Sequence, residues 1–213
     1  MRLVVGNKIN EIDKSTLQEI TSKFDRVEVD LGTGDGRFVY QSALKNPNTL
    51  FIGIDPAEKQ LEKYSKKALR KKLGNALFVV GSFEIIPKEL KGAAIKVFIS
   101  LPWGTLLENI VKPTKEGIKK LSDLLQKDGE IEVTFGYAPG LEPHETKRLN
   151  LPEIDKTLIE KVIIPKFEKH GFHLKSLSTL EKSQLSRVET TWAKRLKFGG
   201  DRNIFKLVFS TQG

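Results

Sequence analysis

Three groups of residues in this chain have types and spacings that could carry chemistry. The first is Val27-Glu28-Val29-Asp30-Leu31-Gly32-Thr33-Gly34-Asp35-Gly36-Arg37. Val27, Val29 and Leu31 alternate as strand residues do, and Phe38, Val39 and Ala43 begin a helical pattern. Between them, Gly32, Gly34 and Gly36 allow a turn whose backbone comes close to a ligand. An open α/β sheet holds a nucleotide-like ligand at this place, the carboxyl end of its first strand. The second group is Leu50-Phe51-Ile52-Gly53-Ile54-Asp55, a strand ending on an acid 19 positions after Gly36. That spacing suits a carboxylate that holds ribose hydroxyls. The third group is the pair of tryptophans. Trp103 lies in Ser100-Leu101-Pro102-Trp103-Gly104-Thr105, and Trp192 precedes Lys194, Arg195, Lys197 and Arg202. A flat ring among cations is what base stacking with phosphate contact requires.

The type of ligand follows from the acid. A G-x-G-x-x-G dinucleotide fingerprint fails at Arg37, and no G-x-x-x-x-G-K-[ST] loop is present. The pattern that fits is acidic-x-Gly-x-Gly, with Asp30 at the strand end. A carboxylate beside the turn repels phosphate and suits a ligand with an ammonium group, as S-adenosylmethionine has. Asp30, Gly32, Gly34 and Asp55 together resemble a class I S-adenosylmethionine-dependent methyltransferase. The plainer reading is a solvent-facing Asp beside an ordinary glycine turn.

These groups need a frame. Residues 2–5 and 8–12 around Gly6-Asn7 read as an N-terminal β-hairpin. Asp13 is placed to cap a helix over about 14–23. Strand 26–31, helix 36–45, strand 49–55 and helix 57–73 follow. On the last of these, Lys59, Lys63, Lys67 and Lys71 fall at i, i+4, with Lys66 and Arg70 alongside. Leu61, Tyr64 and Ala68 take the opposing face. The stripe is either a solvated face or a track for phosphates. Glu58 and Glu62 are its only nearby acids. Strands at 76–80 and 94–99, helices at 105–111 and 114–126, an Asp128-Gly129 turn and a strand at 130–135 continue the alternation. Residues 136–152 read as a loop or short insertion. The helical pattern over 153–169 contains Pro165, which should kink or end it. A strand at 172–180, a helix at 184–197, a Gly199-Gly200 turn and a strand at 203–210 complete the chain. The expected fold is α/β: a Rossmann-like doubly wound sheet of seven core strands with a final antiparallel hairpin, in one domain over 1–213.

Composition narrows the partner. The 213 residues are 38% hydrophobic and 30% charged, with a formal net charge of +9. Such a balance favours a polyanion, most often nucleic acid. Cysteine is absent, and His144, His170 and His173 are not clustered, so no metal site is expected. No apolar run approaches a bilayer's thickness. The start, Met1-Arg2-Leu3-Val4-Val5-Gly6, turns polar too soon for a secretory leader, so a cytoplasmic protein is expected. No motif speaks to assembly, and a monomer is expected.

The combination of Asp30 to Arg37, Gly53-Ile54-Asp55-Pro56, Pro102-Trp103-Gly104-Thr105-Leu106-Leu107 and Trp192-Ala193-Lys194-Arg195-Leu196 resembles the aminoglycoside-resistance 16S rRNA methyltransferases that modify N1 of adenine 1408. The resemblance spans the N-terminal hairpin to the last strand. It implies methylation of the decoding-site adenine in the assembled 30S subunit. It implies that Trp103 and Trp192 sandwich the flipped adenine, with Pro102 stiffening the turn and Thr190 near the target nucleotide. Cofactor contacts carry over to Asp30, Gly32, Asp55, Ser82, Glu84 and Leu101, and Gly34 and Thr105 are further candidates in the same two turns. RNA contacts carry over to Lys66, Lys67, Arg195 and Arg202; Arg70, Lys71 and Lys194 are further candidates from the cationic stripe and the run after Trp192, with 184–202 as the RNA-contacting segment. Gly200 departs from a relative's Arg, so one phosphate contact is expected to be weaker or moved. Two other readings remain open. One is a tRNA guanine-N7 methyltransferase, although Leu101 stands where that family's Pro-Asp-Pro-Trp-type motif has Asp. The other is a non-catalytic RNA-binding protein on a methyltransferase fold. A small-molecule methyltransferase fits the Lys-rich surface less well.

Overall fold

A computed structural model of the chain describes residues 1–181, 184 and 203–211. Its frame is one sheet of nine strands in the order β2-β1-β5-β4-β3-β6-β7-β9-β8. The strands are β1 (Arg2–Val5), β2 (Lys8–Glu11), β3 (Arg26–Leu31), β4 (Thr49–Asp55), β5 (Ala76–Val80), β6 (Ala94–Ser100), β7 (Leu125–Phe135), β8 (Phe172–Leu180) and β9 (Ile204–Thr211). β3 pairs in parallel with both β4 and β6, and the parallel ladder continues to β5 on one side and β7 on the other. β9 runs antiparallel between β7 and β8. The N-terminal hairpin joins the same sheet, because Leu3 of β1 pairs with Val79 of β5.

Helices lie on both faces. They are α1 (Lys14–Thr21), α2 (Arg37–Lys45), α3 (Glu58–Arg70), α4 (Gly104–Val111), α5 (Lys115–Leu124) and α6 (Pro143–Arg148). The even positions Leu50, Ile52 and Ile54 of β4 join Val29, Leu31 and the apolar sides of α1, α4 and α5 in one core. Phe51 faces the other way and packs with Val39 and Ala43 of α2 and Leu61, Tyr64 and Ala68 of α3. From Leu50 to Ile54 this strand carries no polar side chain, and it is buried on both sides. Phe167 stacks on Phe209 at 4.6 Å between centroids and meets Phe172 edge-on at 5.5 Å. This aromatic cluster holds the β8–β9 pair against the helical layer.

The structure refines four expectations. Pro165 does not end its helix: α7 (Lys156–Leu158), a π-helical turn (Ile159–Ile163) and α8 (Ile164–Glu168) form a continuous run. A proline lacks the N–H that an α-helix needs, and the widened turn before it absorbs the misfit. The 136–152 segment is not plain loop, since α6 lies inside it with Pro143 in its first turn. Asp128, at φ +58, falls inside the span of β7, but the regular ladder with β6 begins only at Glu130 after Leu125 pairs with Ala94, so residues 126–129 bulge out as the expected turn does. Finally, the Lys stripe on α3 has an acid that its own neighbourhood in sequence does not contain: Asp35 Oδ2 lies 2.8 Å from Lys63 Nζ. The expected helix at 184–197 and turn at 199–200 lie outside the described residues.

Candidate cofactor and acceptor site

The chain runs from β3 outward to β4 and β5, then returns to β6 on the other side of β3. A crevice opens at the carboxyl ends of strands where the order reverses in this way. The ends of β3 and β6 meet there, carrying Asp30 and Leu101 respectively.

Backbone groups build the β3 side. The N–H groups of Gly32 and Thr33 both donate to the Ile54 carbonyl, at 2.9 and 3.0 Å. Gly36, at φ +77, heads α2, and a Cβ there would lie 2.5 Å from the Phe78 ring. Gly34, at φ +62, faces open space. The turn thus needs glycine at 36 for packing and at 34 for backbone conformation and access. Asp55 is gripped by two N–H donors, from Gly34 at 2.8 Å and Ala57 at 2.9 Å. Burial pushes its carboxyl up, and those two donors pull it back.

Asp30 differs. It is 2% exposed, and neither carboxylate oxygen has a hydrogen-bond partner. The neighbouring Thr33 hydroxyl is also buried and unpartnered. Burial pushes Asp30 up to about 7, partly offset by the nearby Thr33 hydroxyl and reinforced by Asp55. A buried acid without a partner is costly, and such a group calls for a ligand that supplies the missing donors.

Side chains build the β6 side. Leu101 takes φ +54, rare for a side chain of this kind, while its N–H donates to the Thr134 carbonyl at 2.6 Å. Strain of this type marks functional turns. Pro102 is buried beneath the turn, and Trp103 is 43% exposed at the head of α4. Ser82 and Glu84 after β5 reach the same place, since Glu84 accepts from the Thr105 hydroxyl. The Ser82 and Thr105 hydroxyls hold the Glu84 carboxyl below its usual range. Lys120 Nζ donates to the Glu84 carbonyl at 2.9 Å. The structure therefore places Asp30, Gly32, Gly34, Asp55, Ser82, Glu84, Leu101, Pro102, Trp103 and Thr105 at the carboxyl ends of the parallel strands, where the Gly32 turn packs against Leu106 of α4. Of two hollows, about 360 and 470 Å³, the first is lined in part by Glu84 and Lys120, and neither contains Asp30, Asp55 or Trp103.

α3 is pinned beside this crevice through Lys63–Asp35 and through Arg37 Nη1 donating to the Tyr64 hydroxyl at 3.0 Å. Its cations are not equivalent. Lys66 pairs with Glu62 at 2.7 Å, and Lys67 lies over the Tyr64 ring at 4.6 Å. Arg70 and Lys71 are exposed and without an ion-pair partner among the described residues. Trp192, Thr190, Lys194, Arg195 and Arg202 lie outside the described residues, as does Gly200. Four contributors escaped sequence reasoning: Thr33, Lys120, Glu145 and Arg148. Glu145 Oε1 accepts from the Gly104 N–H at 3.1 Å across 41 positions. No local pattern signals such a pairing. Among the described residues, no cluster of His, Asp and Glu could hold a metal, and no helix is long and apolar enough to cross a membrane.

Comparison with known proteins agrees with this geometry. The profile of the NpmA family, 16S rRNA (adenine(1408)-N(1))-methyltransferase, matches residues 2–211. A 16S rRNA (adenine(1408)-N(1))-methyltransferase of Escherichia coli is 36% identical over 212 residues, covering 97% of each chain. Among solved structures, a 30S ribosomal A1408 methyltransferase from an uncultured bacterium is 40% identical, with a TM-score of 0.80 and full coverage of both chains. The aminoglycoside resistance methyltransferase NpmB1 is 34% identical at a TM-score of 0.84, over 99% of this chain and 98% of its own.

Proposed function

Because the chain belongs to the 16S rRNA (adenine(1408)-N(1))-methyltransferase family, we propose that the crevice transfers a methyl group to N1 of adenine 1408. The product confers aminoglycoside resistance. The substrate is 16S rRNA within the 30S subunit, which puts the enzyme's work in the cytoplasm, and the enzyme acts as a monomer.

The observation that carries this reading is the orphaned Asp30 carboxylate beside the glycine turn. It fits S-adenosylmethionine, whose ammonium supplies the donors that Asp30 lacks. When bound, that cofactor offers a methyl group on a positively charged sulfur. Asp30 holds the ammonium end, and ionises fully once the cation is beside it. Asp55 is fixed by the Gly34 and Ala57 N–H groups and holds the ribose hydroxyls. Ser82, Glu84 and Thr105 edge the adenine end. Leu101 sets the turn that separates cofactor from acceptor.

The acceptor side needs alignment and no base. Adenine N1 has an in-plane lone pair and carries no proton. The N1–CH₃ bond forms as the carbon–sulfur bond breaks, leaving neutral sulfur and a positively charged adenine ring. Trp103 and Trp192 clamp the base, which must leave its stack to be reached. Their faces stabilise the developing positive charge. Holding the reacting atoms in line supplies most of the rate. Arg70 and Lys71 meet phosphates of the rRNA, with Lys66 and Lys67 beside them. Lys194, Arg195 and Arg202 continue that surface, and Thr190 contacts the target nucleotide. The guanine-N7 reading is disfavoured by Leu101, which offers no carboxylate to a guanine edge. A non-catalytic role leaves the unpartnered Asp30 without a purpose.

The test is methylation of purified 30S subunits with labelled S-adenosylmethionine, followed by reverse-transcriptase primer extension. Methyl on N1 blocks the pairing edge, so a stop adjacent to adenine 1408 is expected. Label in tRNA with no stop on 16S rRNA would overturn the reading.

A further inference from the structure

Trp103 heads α4 but has no side-chain oxygen to cap it. The first N–H groups of a helix need acceptors, and the usual source is the capping residue itself. Here the acceptor comes from another part of the chain. Glu145 Oε1 takes the Gly104 N–H at 3.1 Å. That carboxylate is in turn fixed by a two-pronged pair with Arg148, Nη2 to Oε1 at 2.7 Å and Nε to Oε2 at 2.9 Å. The Glu145 side chain is only 12% exposed, so it is fixed by its surroundings as well as by Arg148. Planar guanidinium–carboxylate pairing of this kind sets orientation as well as energy.

A second tie runs between the same two pieces. Lys112, at the end of α4, donates to the Leu149 carbonyl just past α6 at 2.7 Å. The base of the segment is closed by the Tyr137 hydroxyl donating to the Pro152 carbonyl. Leu149, Leu151 and Ile154 are buried in the main core. The segment 137–154 is therefore a strap anchored at its base, and its one short helix grips α4 at both ends.

Trp103 and Gly104 are adjacent, and Gly104 takes φ +63. A left-handed glycine gives the chain rotational freedom that the peptide N–H alone does not remove. We propose that Glu145, clamped by Arg148, is a positioning residue for methyl transfer: it locks the Gly104 peptide and so fixes the Trp103 ring. Glu145 touches neither base nor cofactor in this scheme. It acts through the turn, by the geometry of a carboxylate at a helix start. The proposal rests on the reading that Trp103 receives the target base.

The experiment compares Glu145→Ala, Glu145→Gln and Arg148→Ala in the full chain. Three quantities are measured: kcat and KM on 30S subunits, S-adenosylmethionine affinity by calorimetry, and Trp103 fluorescence anisotropy. The chain has two tryptophans, so a Trp192→Phe background makes Trp103 the sole emitter for the third. Glu145→Ala should lower kcat about tenfold, with KM and cofactor affinity within about twofold, and should lower Trp103 anisotropy. Glu145→Gln retains an oxygen acceptor and should restore both anisotropy and most of kcat. Arg148→Ala should fall between them. Unchanged Trp103 anisotropy in Glu145→Ala would overturn the proposal. So would a loss shared equally by Glu145→Ala and Glu145→Gln that tracks a drop in melting temperature. The anisotropy reading needs no RNA. If 30S is not the substrate, the anisotropy still decides the positioning role, while absent methylation by the unaltered enzyme would count against the function.

Discussion

The two sides of the crevice are built by different means. On the proposed cofactor side every donor is a backbone N–H: Gly34 and Ala57 on Asp55, Gly32 and Thr33 on the Ile54 carbonyl. On the proposed acceptor side, side chains hold the Trp103 turn and its helix to a distant segment: Glu145 takes the Gly104 N–H across 41 positions, and Lys112 donates to the Leu149 carbonyl across 37. A backbone cradle is set once the strand, turn and helix form, and it suits a ligand of constant shape. A side-chain assembly can be altered piece by piece, and it suits the half of a site that must fit one particular RNA. Replacing residues on the acceptor side should therefore harm turnover, while replacements in the cradle should harm cofactor binding or the fold.

The largest separation is expected from Trp103→Ala and Trp192→Ala. Each should reduce methylation of 30S by about a hundredfold or more, with cofactor affinity changed less than about threefold. Equal loss of both activities would sink the sandwich role and the comparison with it. Next come the two glycines, read by urea midpoint. Gly36→Ala forces a Cβ against Phe78 at φ +77 and should cost about 2–4 kcal/mol. Gly34→Ala meets no atom and should cost only about 1 kcal/mol while hindering the cofactor.

Asp30→Asn should weaken S-adenosylmethionine binding about tenfold while leaving the fold intact, since it removes a charge-assisted contact. Its pH dependence has a definite sign. The folded carboxyl titrates at about 7, against 3.8 for an ordinary Asp. Its contribution to the stability of the ligand-free protein is fully present below that ordinary value. The contribution fades as pH rises through about 7. A cationic ligand prefers the ionised carboxylate, so affinity should climb over the same window. The difference between the unaltered protein and Asp30→Asn, followed by calorimetry and melting from pH 5 to 8, isolates this group from other carboxylates. A flat difference would remove Asp30 from the cofactor site.

The smallest effects belong to α3. Arg70→Ala and Lys71→Ala should each weaken 30S binding about threefold and lower the salt slope by about one. Lys66→Ala should do less, because Glu62 already neutralises part of that charge. If Lys66 mattered most, the ranking by free charge would be wrong.

Legibility in the sequence followed the range of each interaction. The strand at 26–31, the strand at 49–55 and the N-terminal hairpin were readable because alternation and turn residues act over a few positions. Asp30, Gly34 and Asp55 were readable for the same reason, as one strand-turn-helix unit and the strand after it. The Trp103 turn was marked by its composition. The π turn before Pro165 was not readable, since it is a compromise between a missing N–H and a buried helix face. The Asp35 partner of Lys63 was missed because it lies 28 positions away.

By itself, then, the sequence determined the alternation of strands and helices, the glycine turn and the kinds of group that would meet a cationic cofactor and a flat base. Those depend on backbone sterics and on patterns of apolar residues a few positions apart. Only the tertiary structure decided that Asp30 is buried without a partner, that β3 and β6 are neighbours, and that Glu145 holds the peptide next to Trp103. Burial and cross-chain hydrogen bonds depend on which elements pack together, and that is set by the whole core acting at once.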